Sequence, residues 1–146
     1  MSIQQLKPKE AKEAMDVADH PVYIDVRTEM EFAQGHPEGA LNIPVTVPGP
    51  GGMAQNPQFV AIVEKIFPDK NQPIFCGCQM GGRSQIAAEF LVRAGYTRLV
   101  NVQGGFGGRV QNGVVIIPGW KDCGLPVETK VDDTNSYAGL KKLAGL

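Results

Sequence analysis

The residues best suited to chemistry lie in one short segment, Cys-Gln-Met-Gly-Gly-Arg, at positions 78–83. This segment joins an apolar run, residues 73–77, to a helical pattern that begins near Ser84. Its two adjacent glycines permit a tight turn that directs several backbone N–H groups at one point. Those donors and the N-terminus of the following helix both favour negative charge. We therefore expect the turn to surround the sulfur of Cys78.

A cysteine in such a turn is expected to be nucleophilic. The pKa of a thiol falls from about 8.5 to roughly 3.5–7.5 in such surroundings, and a fall of two units corresponds to about 2.7 kcal/mol. Cys78 would then be thiolate at neutral pH, with Arg83 as a fixed cation able to hold an oxyanion in a forked geometry. The alternative is that Cys78 is an inert, buried cysteine in an ordinary glycine-containing turn.

The spacing between cysteine and arginine bears on the group that the turn could hold. Four residues separate Cys78 from Arg83, and six separate Cys76 from Arg83. Cysteine phosphatases have five residues between their cysteine and arginine, so neither spacing matches theirs. A ring one residue smaller than the phosphatase ring suits a smaller group, such as the terminal sulfur of a persulfide.

The other two cysteines are expected to be structural. Cys76 falls inside a strand pattern and is predicted to lie in the core, with a role as resolving thiol for Cys78 as the alternative. Cys123 lies in a predicted surface loop. A redox pair is disfavoured because Cys-x-Cys lacks the Cys-x-x-Cys spacing. A metal site that adds Cys123 or His20 lacks a second closely spaced ligand pair, so no metal is predicted.

The elements that must position this turn alternate between strand and helix, which predicts an α/β fold with a central parallel sheet and helices on both faces. Ligands of such sheets bind beyond the carboxyl ends of the strands, where residues 25–29, residues 42–44 and the cysteine turn are predicted to meet. The pattern predicts helices over residues 6–18, 28–35, 57–67 (capped by Asn56) and 84–95, and strands over residues 22–26, 40–44, 73–77 and 98–102.

Three further segments do not follow the alternation. Residues 45–57 read as a loop rich in proline and glycine. Asn112-Gly113 between apolar residues predicts a hairpin near residues 108–118. The C-terminal extension, residues 130–146, is weakly amphipathic and is expected either to pack on the domain or to fray.

Composition fits one domain over residues 1–146. Hydrophobic residues make up 42%, charged residues 20%, and the net charge is −1, which gives no electrostatic reason to expect nucleic acid or a membrane surface as a partner. No stretch approaches the roughly 20 apolar residues of a membrane span. The polar N-terminus lacks a signal-peptide core and the cysteine count is odd, so we expect a reducing, cytoplasmic compartment.

Two motifs together resemble the rhodanese family. "CQMGGRS", Cys78–Ser84, is similar to its active-site loop C-x-x-G-x-R-S. "DVRTEMEFAQGHPEGALNIP", residues 25–44, resembles its other signature, D-V-R-x-x-x-E-[FY]-x-x-G-H-x-x-G-A-x-N-I-P. "NVQGGFGGRV" and "GLPVE" resemble its closing segment, so that the resemblance spans about residues 5–129. The pattern looks like the single-domain rhodaneses of bacteria and plants.

The resemblance implies a sulfurtransferase in which Cys78 attacks the outer sulfur of thiosulfate or a related donor. The resulting persulfide would pass its sulfur to cyanide, to a thiol or to an acceptor protein, with no metal or organic cofactor. The alternative is a non-enzymatic sulfur-relay or interaction module. The substrate-binding residues would be those whose N–H groups surround the sulfur: Gln79, Met80, Gly81, Gly82, Arg83 and Ser84.

The first signature supplies supporting residues. Asp25 is predicted to fix neighbouring loops by accepting backbone N–H groups, and Arg27 to pair with Glu31, while the whole segment acts mainly as scaffold. His36, followed by proline, is expected to anchor a turn by hydrogen bonding rather than to act as an acid or base.

Two departures from the family pattern bear on specificity. Residues 107–123 intervene before "GLPVE", with Trp120 later than the aromatic residue of the family, and we expect them to form a hairpin over or beside the site or a plain surface elaboration. Arg83 is the only charged side chain in the turn, which weakens the case for a dianionic donor such as thiosulfate. Met80 would instead suit a less polar donor or a protein persulfide.

Overall fold

The structure is a computed structural model that describes residues 3–146. A five-stranded parallel sheet forms its centre, which confirms the predicted α/β fold. In chain order the elements are β1 (Gln4–Leu6), α1 (Pro8–Val17), β2 (Val22–Asp25), α2 (Glu29–Gln34), β3 (His36–Pro37), β4 (Leu41–Asn42), β5 (Thr46–Gly49), β6 (Gly52–Gln55), α3 (Phe59–Ile66), β7 (Ile74–Gly77), α4 (Gly82–Arg93), β8 (Leu99–Val102), β9 (Arg109–Gln111), β10 (Val114–Ile117), a 3₁₀ helix (Trp120–Cys123), β11 (Val127–Glu128) and α5 (Tyr137–Leu143).

The central sheet has the strand order β1-β8-β7-β2-β4. Strand β7 is therefore the middle strand, and its carboxyl end carries the cysteine turn. Strand β2 pairs with β7 from Val22 against Ile74 to Asp25 against Gly77. This register brings Asp25 beside the start of the turn, as the shared edge of a parallel sheet requires. The edge strand β1 was not predicted, because three residues are too few for a periodic pattern.

Apolar side chains on the two faces of the sheet form separate clusters, as alternation along a strand dictates. One face packs against α3, α4 and α5; the opposite face packs against α1, α2 and the 3₁₀ helix. In β7, Ile74 and Cys76 belong to the first cluster and Phe75 to the second. Trp120 is buried in the second cluster, with its ring edge-on to Tyr23 at a centroid distance of 5.6 Å.

Helix starts agree with the sequence where a cap defines them. Thr28 and Glu31 form the predicted capping box of α2, and Pro8 occupies the first turn of α1. The predicted start of α3 at Pro57 is wrong by two residues. Asn56 does not cap this helix directly, because its Oδ1 accepts the Gln58 N–H at 3.0 Å and forms a turn before it.

One predicted loop is wrong, and one of the two alternatives for the C-terminal extension is confirmed. The proline- and glycine-rich segment contains an antiparallel hairpin, β5–β6, with Thr46 opposite Gln55. The C-terminal residues form α5 and pack on the domain, so the fraying alternative is wrong. Tyr137 and Leu140 are buried there, and the Asn56 side-chain amide donates to the Tyr137 hydroxyl at 2.9 Å.

The predicted hairpin near residues 108–118 is confirmed as the antiparallel pair β9–β10, hereafter the ribbon. Its turn residues Asn112 and Gly113 both have positive φ, 52° and 77°, which is the backbone that a two-residue hairpin requires. The ribbon carries a row of exposed aliphatic side chains, from Val114 to Ile116. Within residues 3–146, no helix is both long enough and apolar enough to cross a membrane.

Candidate active site

Cys78 is the first residue after the central strand β7, and only 2% of its surface is exposed. The Gly81 N–H donates to its Sγ at 3.1 Å, so that one backbone donor of the turn is directed at the sulfur, where several were predicted. Gly81 can do so because it adopts a φ of 111°, a conformation that disfavours other residues. Helix α4 then begins at Gly82, two residues earlier than predicted, so that its first turn faces the sulfur.

A network of polar side chains, Ser84, Asn101 and Gln5, holds the cysteine turn against the sheet. The Ser84 Oγ lies 3.4 Å from the Cys78 Sγ and 2.5 Å from the Asn101 Oδ1. Its single proton has its nearest acceptor in Asn101. The Asn101 amide donates to the Gln5 Oε1 at 2.8 Å and to the Gly81 carbonyl at 3.3 Å. The network therefore ties the cysteine turn to β8 and β1.

The network contains two residues that the sequence did not assign to the site. Asn101 interrupts the apolar run of β8, and a polar residue inside a buried strand is a signal that could have found it. Gln5 carries no such signal, because it lies on an exposed edge strand.

A glycine-rich segment after β8 packs directly on the cysteine turn. The Phe106 N–H donates to the Cys78 carbonyl at 2.7 Å, and the Gly107 N–H donates to the Gln79 carbonyl at 3.0 Å. A methyl group on Gly105 would overlap the Cys78 carbonyl oxygen. Glycine is required here because the two backbones approach too closely for a side chain. The turn is thus held from both sides rather than exposed as a free loop.

Asp25 and Arg27 form a buried ion pair at the edge of the site. The Arg27 Nη2 lies 2.8 Å from the Asp25 Oδ2, and the Arg27 backbone N–H donates to the Asp25 Oδ1 at 3.1 Å. Arg27 also donates to the Gly35 carbonyl at 2.7 Å and to the Gln79 Oε1 at 3.2 Å. Its guanidinium lies 4.6 Å from the centre of the Phe106 ring. The pair therefore positions the two segments that enclose Cys78.

The predicted pairing of Arg27 with Glu31 is wrong. Arg27 is 2% exposed and turns inward to Asp25, whereas Glu31 pairs with Arg83 of the cysteine turn. The second pair is bidentate, with Nη1–Oε1 at 2.8 Å and Nη2–Oε2 at 3.0 Å. Arg83 was also predicted to hold an oxyanion in a forked geometry. This prediction is wrong, because the Glu31 carboxylate occupies both terminal nitrogens of the guanidinium. The hydrogen bonds from Arg83 lower the pKa of Glu31 from an ordinary value of 4.5 to about 2.

His36 anchors a turn, as predicted. Its Nδ1 lies 2.7 Å from the Phe32 carbonyl oxygen, its ring stacks on Phe32 at 3.6 Å, and it is fully buried. The other ring nitrogen faces Glu128 at 3.5 Å. It lies among packed residues of β3 and β11, so the geometry supports a structural role.

The remaining cysteines are not in the turn. Cys76 is fully buried, and burial raises the pKa of its thiol to about 12, with the neighbouring Cys78 adding to the effect. This confirms the core prediction. Cys123 was predicted to lie in a surface loop. It is instead the last residue of the 3₁₀ helix and is half-buried, so this prediction is wrong. All three cysteines are free.

Cys78 lies at the wall of an open pocket of about 660 Å³. The predicted binding residues 79–83 line the same pocket, and Met80 is half exposed at its rim. The ribbon contributes Arg109 and Ile117, so the expectation of a hairpin beside the site is confirmed. Arg83 and Arg109 are the charged residues lining this pocket within residues 3–146. No cluster of metal-ligating side chains is found within the same residues.

These features agree with comparison to known proteins. The sequence profile of the family described as "Rhodanese-like domain" matches residues 7–110, and the chain therefore belongs to the rhodanese-like family. The matched range contains the Asp25–Arg27 and Glu31–Arg83 pairs, the cysteine turn and the first residues of the ribbon. The resemblance inferred from the two motifs is thereby confirmed.

Among curated relatives, thiosulfate sulfurtransferase 16 (chloroplastic) of Arabidopsis thaliana is 42% identical over 92 residues, which cover 63% of this chain and 76% of the relative. Thiosulfate sulfurtransferase GlpE of Haemophilus influenzae is 30% identical over 129 residues, 88% of this chain and 98% of the relative. Other relatives are longer; the match to rhodanese-like domain-containing protein 15 of Arabidopsis thaliana covers 52% of that protein.

Solved structures agree with the fold. The crystal structure of Rv0390 from M. tuberculosis superposes with a TM-score of 0.72 at 27% identity and covers 89% of this chain and all of that one. A structure titled as rhodanese with anions from E. coli gives a TM-score of 0.52, also at 27% identity, over 75% of this chain and 99% of the other.

Proposed function

We propose that the protein is a sulfurtransferase that carries sulfane sulfur as a persulfide on Cys78. The observation that carries the proposal is the Gly81 N–H donating to the Cys78 Sγ at the wall of an open pocket. A backbone donor aimed at this position stabilises the negative charge of the persulfide that forms in the first step. Two relatives whose names are thiosulfate sulfurtransferase add support.

The proposed reaction has two balanced steps. The Cys78 thiolate attacks the outer sulfur of thiosulfate; a new S–S bond forms at Sγ, the donor's S–S bond breaks, and sulfite leaves with its electron pair. Cyanide or a thiolate then attacks the terminal sulfur of the persulfide, and Cys78 departs as thiolate. Net charge is conserved in each step, so neither an oxidant nor a metal or organic cofactor is required.

Backbone groups of the turn are the proposed binding site for the transferred sulfur. Residues 79–83 line the pocket, and the Ser84 hydroxyl lies beside the Sγ. The Asp25–Arg27 pair acts only by positioning Gln79 and Phe106. Because the Arg83 charge is balanced by Glu31, Arg83 contributes mainly to the shape of the turn.

A second candidate is a sulfur relay in which the acceptor is a thiol on another protein. The observation that favours it is the row of exposed aliphatic side chains on the ribbon, next to the pocket rim. Such side chains are typical of protein contact surfaces. Under this proposal the persulfide forms in the same way, but turnover with small acceptors is slow. A nucleic acid or membrane partner is not proposed.

The compartment remains a prediction. Relatives are named as chloroplastic or mitochondrial as well as bacterial, so the names do not favour the expected cytoplasm over an organelle.

The test combines intact mass with thiocyanate production. Wild type incubated with thiosulfate should gain one sulfur atom and then make thiocyanate when cyanide is added. Cys78→Ser should abolish both readouts, and the matched variant Cys76→Ser should retain them, because Cys76 is buried in the core.

Persulfide formation without turnover would favour the relay. If no sulfane donor loads the protein, or if Cys76→Ser loses the sulfur while Cys78→Ser keeps it, the proposed function is wrong.

A further inference from the structure

We infer that Arg109, carried by the ribbon, binds the anionic end of the sulfur donor, the sulfite half of thiosulfate or an equivalent sulfonyl group. This inference rests on the proposed function and names the charge that selects its substrate. It also bears on the expectation, drawn from the turn alone, that one charged side chain in the turn weakens the case for a dianionic donor.

The position of Arg109 follows from a continuous set of contacts. Gly81, the donor to Cys78, packs on Gly104, since a methyl group on Gly81 would lie 3.2 Å from the Gly104 nitrogen. A methyl group on Gly104 would in turn lie 2.6 Å from the Ile117 Cγ2. Ile117 pairs across the ribbon with Arg109. The base of the ribbon is therefore fixed against the cysteine turn, and both of its paired residues line the pocket.

The charge of Arg109 is available to a ligand. Its side chain is exposed, and no acidic side chain within residues 3–146 lies within 4 Å as an ion-pair partner. The other arginine lining the pocket is Arg83, and both of its terminal nitrogens donate to the Glu31 carboxylate. Arg109 is thus the uncompensated cation at the pocket of Cys78. A guanidinium is well matched to the oxygens of a sulfonate-like group.

The geometry also assigns a role in the first step. When the Cys78 thiolate attacks the outer sulfur, the electron pair of the breaking S–S bond goes to the sulfite sulfur. Sulfite leaves as a dianion, and a cation that holds its oxygens stabilises both the bound donor and the leaving group. Since the Coulomb energy is proportional to the ligand charge, the benefit should be larger for a dianion than for a monoanion.

The experiment measures donor binding and donor use separately. Kd for thiosulfate is measured by calorimetry in the Cys78→Ser background, where no sulfur is transferred. KM is measured in proteins with Cys78 intact, with thiosulfate and with the monoanion methanethiosulfonate, using cyanide as acceptor. The variants are Arg109→Gln, Arg109→Lys and Arg98→Gln. Arg98 is a matched control because it is an exposed arginine just before β8. It therefore lies at the amino ends of the strands, away from the cysteine turn at their carboxyl ends.

We expect Arg109→Gln to weaken thiosulfate binding and raise its KM by about tenfold at low salt. The KM of the monoanion should rise by about the square root of that factor, roughly threefold, because its charge is half. Arg109→Lys should recover most of the loss, and added salt should reduce the difference between wild type and Arg109→Gln. Arg98→Gln should behave as wild type.

Equal effects of Arg109→Gln and Arg98→Gln would overturn the inference, as would equal losses for the two donors. The two proposals fail separately. If thiosulfate binding depends on Arg109 but no persulfide forms, the anion site stands and the sulfurtransferase proposal fails. If turnover is normal and unaffected by Arg109→Gln, the sulfurtransferase proposal stands and the Arg109 site is wrong.

Discussion

Replacing Glu31 with glutamine should destabilise the fold in a strongly pH-dependent way. Glutamine keeps an acceptor for the Thr28 N–H and hydroxyl of the capping box but loses the charge that pairs with Arg83. The pKa of Glu31 falls from 4.5 to about 2 because Arg83, and then Thr28, donate to the carboxylate. Converted directly, that difference sets an upper limit of about 3 kcal/mol on the contribution to folding at neutral pH.

Solvent screening reduces this limit. About a third of each side chain of the pair is exposed, so we expect a cost of about 1 kcal/mol for Glu31→Gln at pH 7. Because the pKa is lower in the folded state, the stabilisation is fully present above pH 4.5. It is lost as pH falls from 4.5 through about 2. Wild type and variant should therefore converge in stability at the acid end of that range.

Urea unfolding followed by circular dichroism, at pH 7 and at pH 3, gives the two free energies of unfolding. Glu29→Gln is a suitable control because Glu29 is an exposed carboxylate in the same first turn. The reasoning is refuted if the loss for Glu31→Gln is the same at both pH values, or if Glu29→Gln loses as much at pH 7.

Two further predictions concern the turn. Gly105→Ala should cost about 2–3 kcal/mol, because its φ is 58° and its methyl would overlap the Cys78 carbonyl oxygen. Thermal melting against Gly51→Ala, where no atom lies within 4 Å of the added methyl, checks this; equal melting temperatures would contradict the close approach. In native protein at pH 8, iodoacetamide should modify Cys78 well before Cys76, since burial raises the pKa of Cys76 to about 12. Peptide mass spectrometry after timed quenching gives the order, and equal rates would show that the Cys76 thiol is not shielded.

The sequence predicted the parts of the site that are continuous along the chain. The cysteine turn lies between an apolar strand and a helix, and Gly81 supplies the positive φ that its position requires. The short helix after β2 is set by its capping box. Each of these depends on neighbours within a few residues, where spacing alone determines geometry.

Charge partners could not be predicted in the same way. Both Arg27 and Arg83 could in principle reach Glu31, and the choice depends on which guanidinium is buried. Arg27 turns inward beneath Phe106, and the Glu31 carboxylate is left for Arg83, 52 residues along the chain. Arg109 was missed for a related reason. The hairpin was evident from Asn112-Gly113, but its tilt toward the pocket depends on the fit of Ile117 against Gly104.

The two ends of the ribbon lie next to each other in the fold. Its flanking residues Gly108 and Gly119 touch so closely that a side chain on Gly119 would overlap the Gly108 nitrogen. On the far side, the Trp120 N–H returns at once to the Gly105 carbonyl at 2.9 Å. Residues 110–116, which lie beyond the Arg109–Ile117 pair at the base, should therefore tolerate changes of length and sequence while Trp120 stays against Tyr23 and the cysteine turn stays supported. Under the inferred role of Arg109, this closed base is a graft point at which donor choice can be changed without moving the nucleophile.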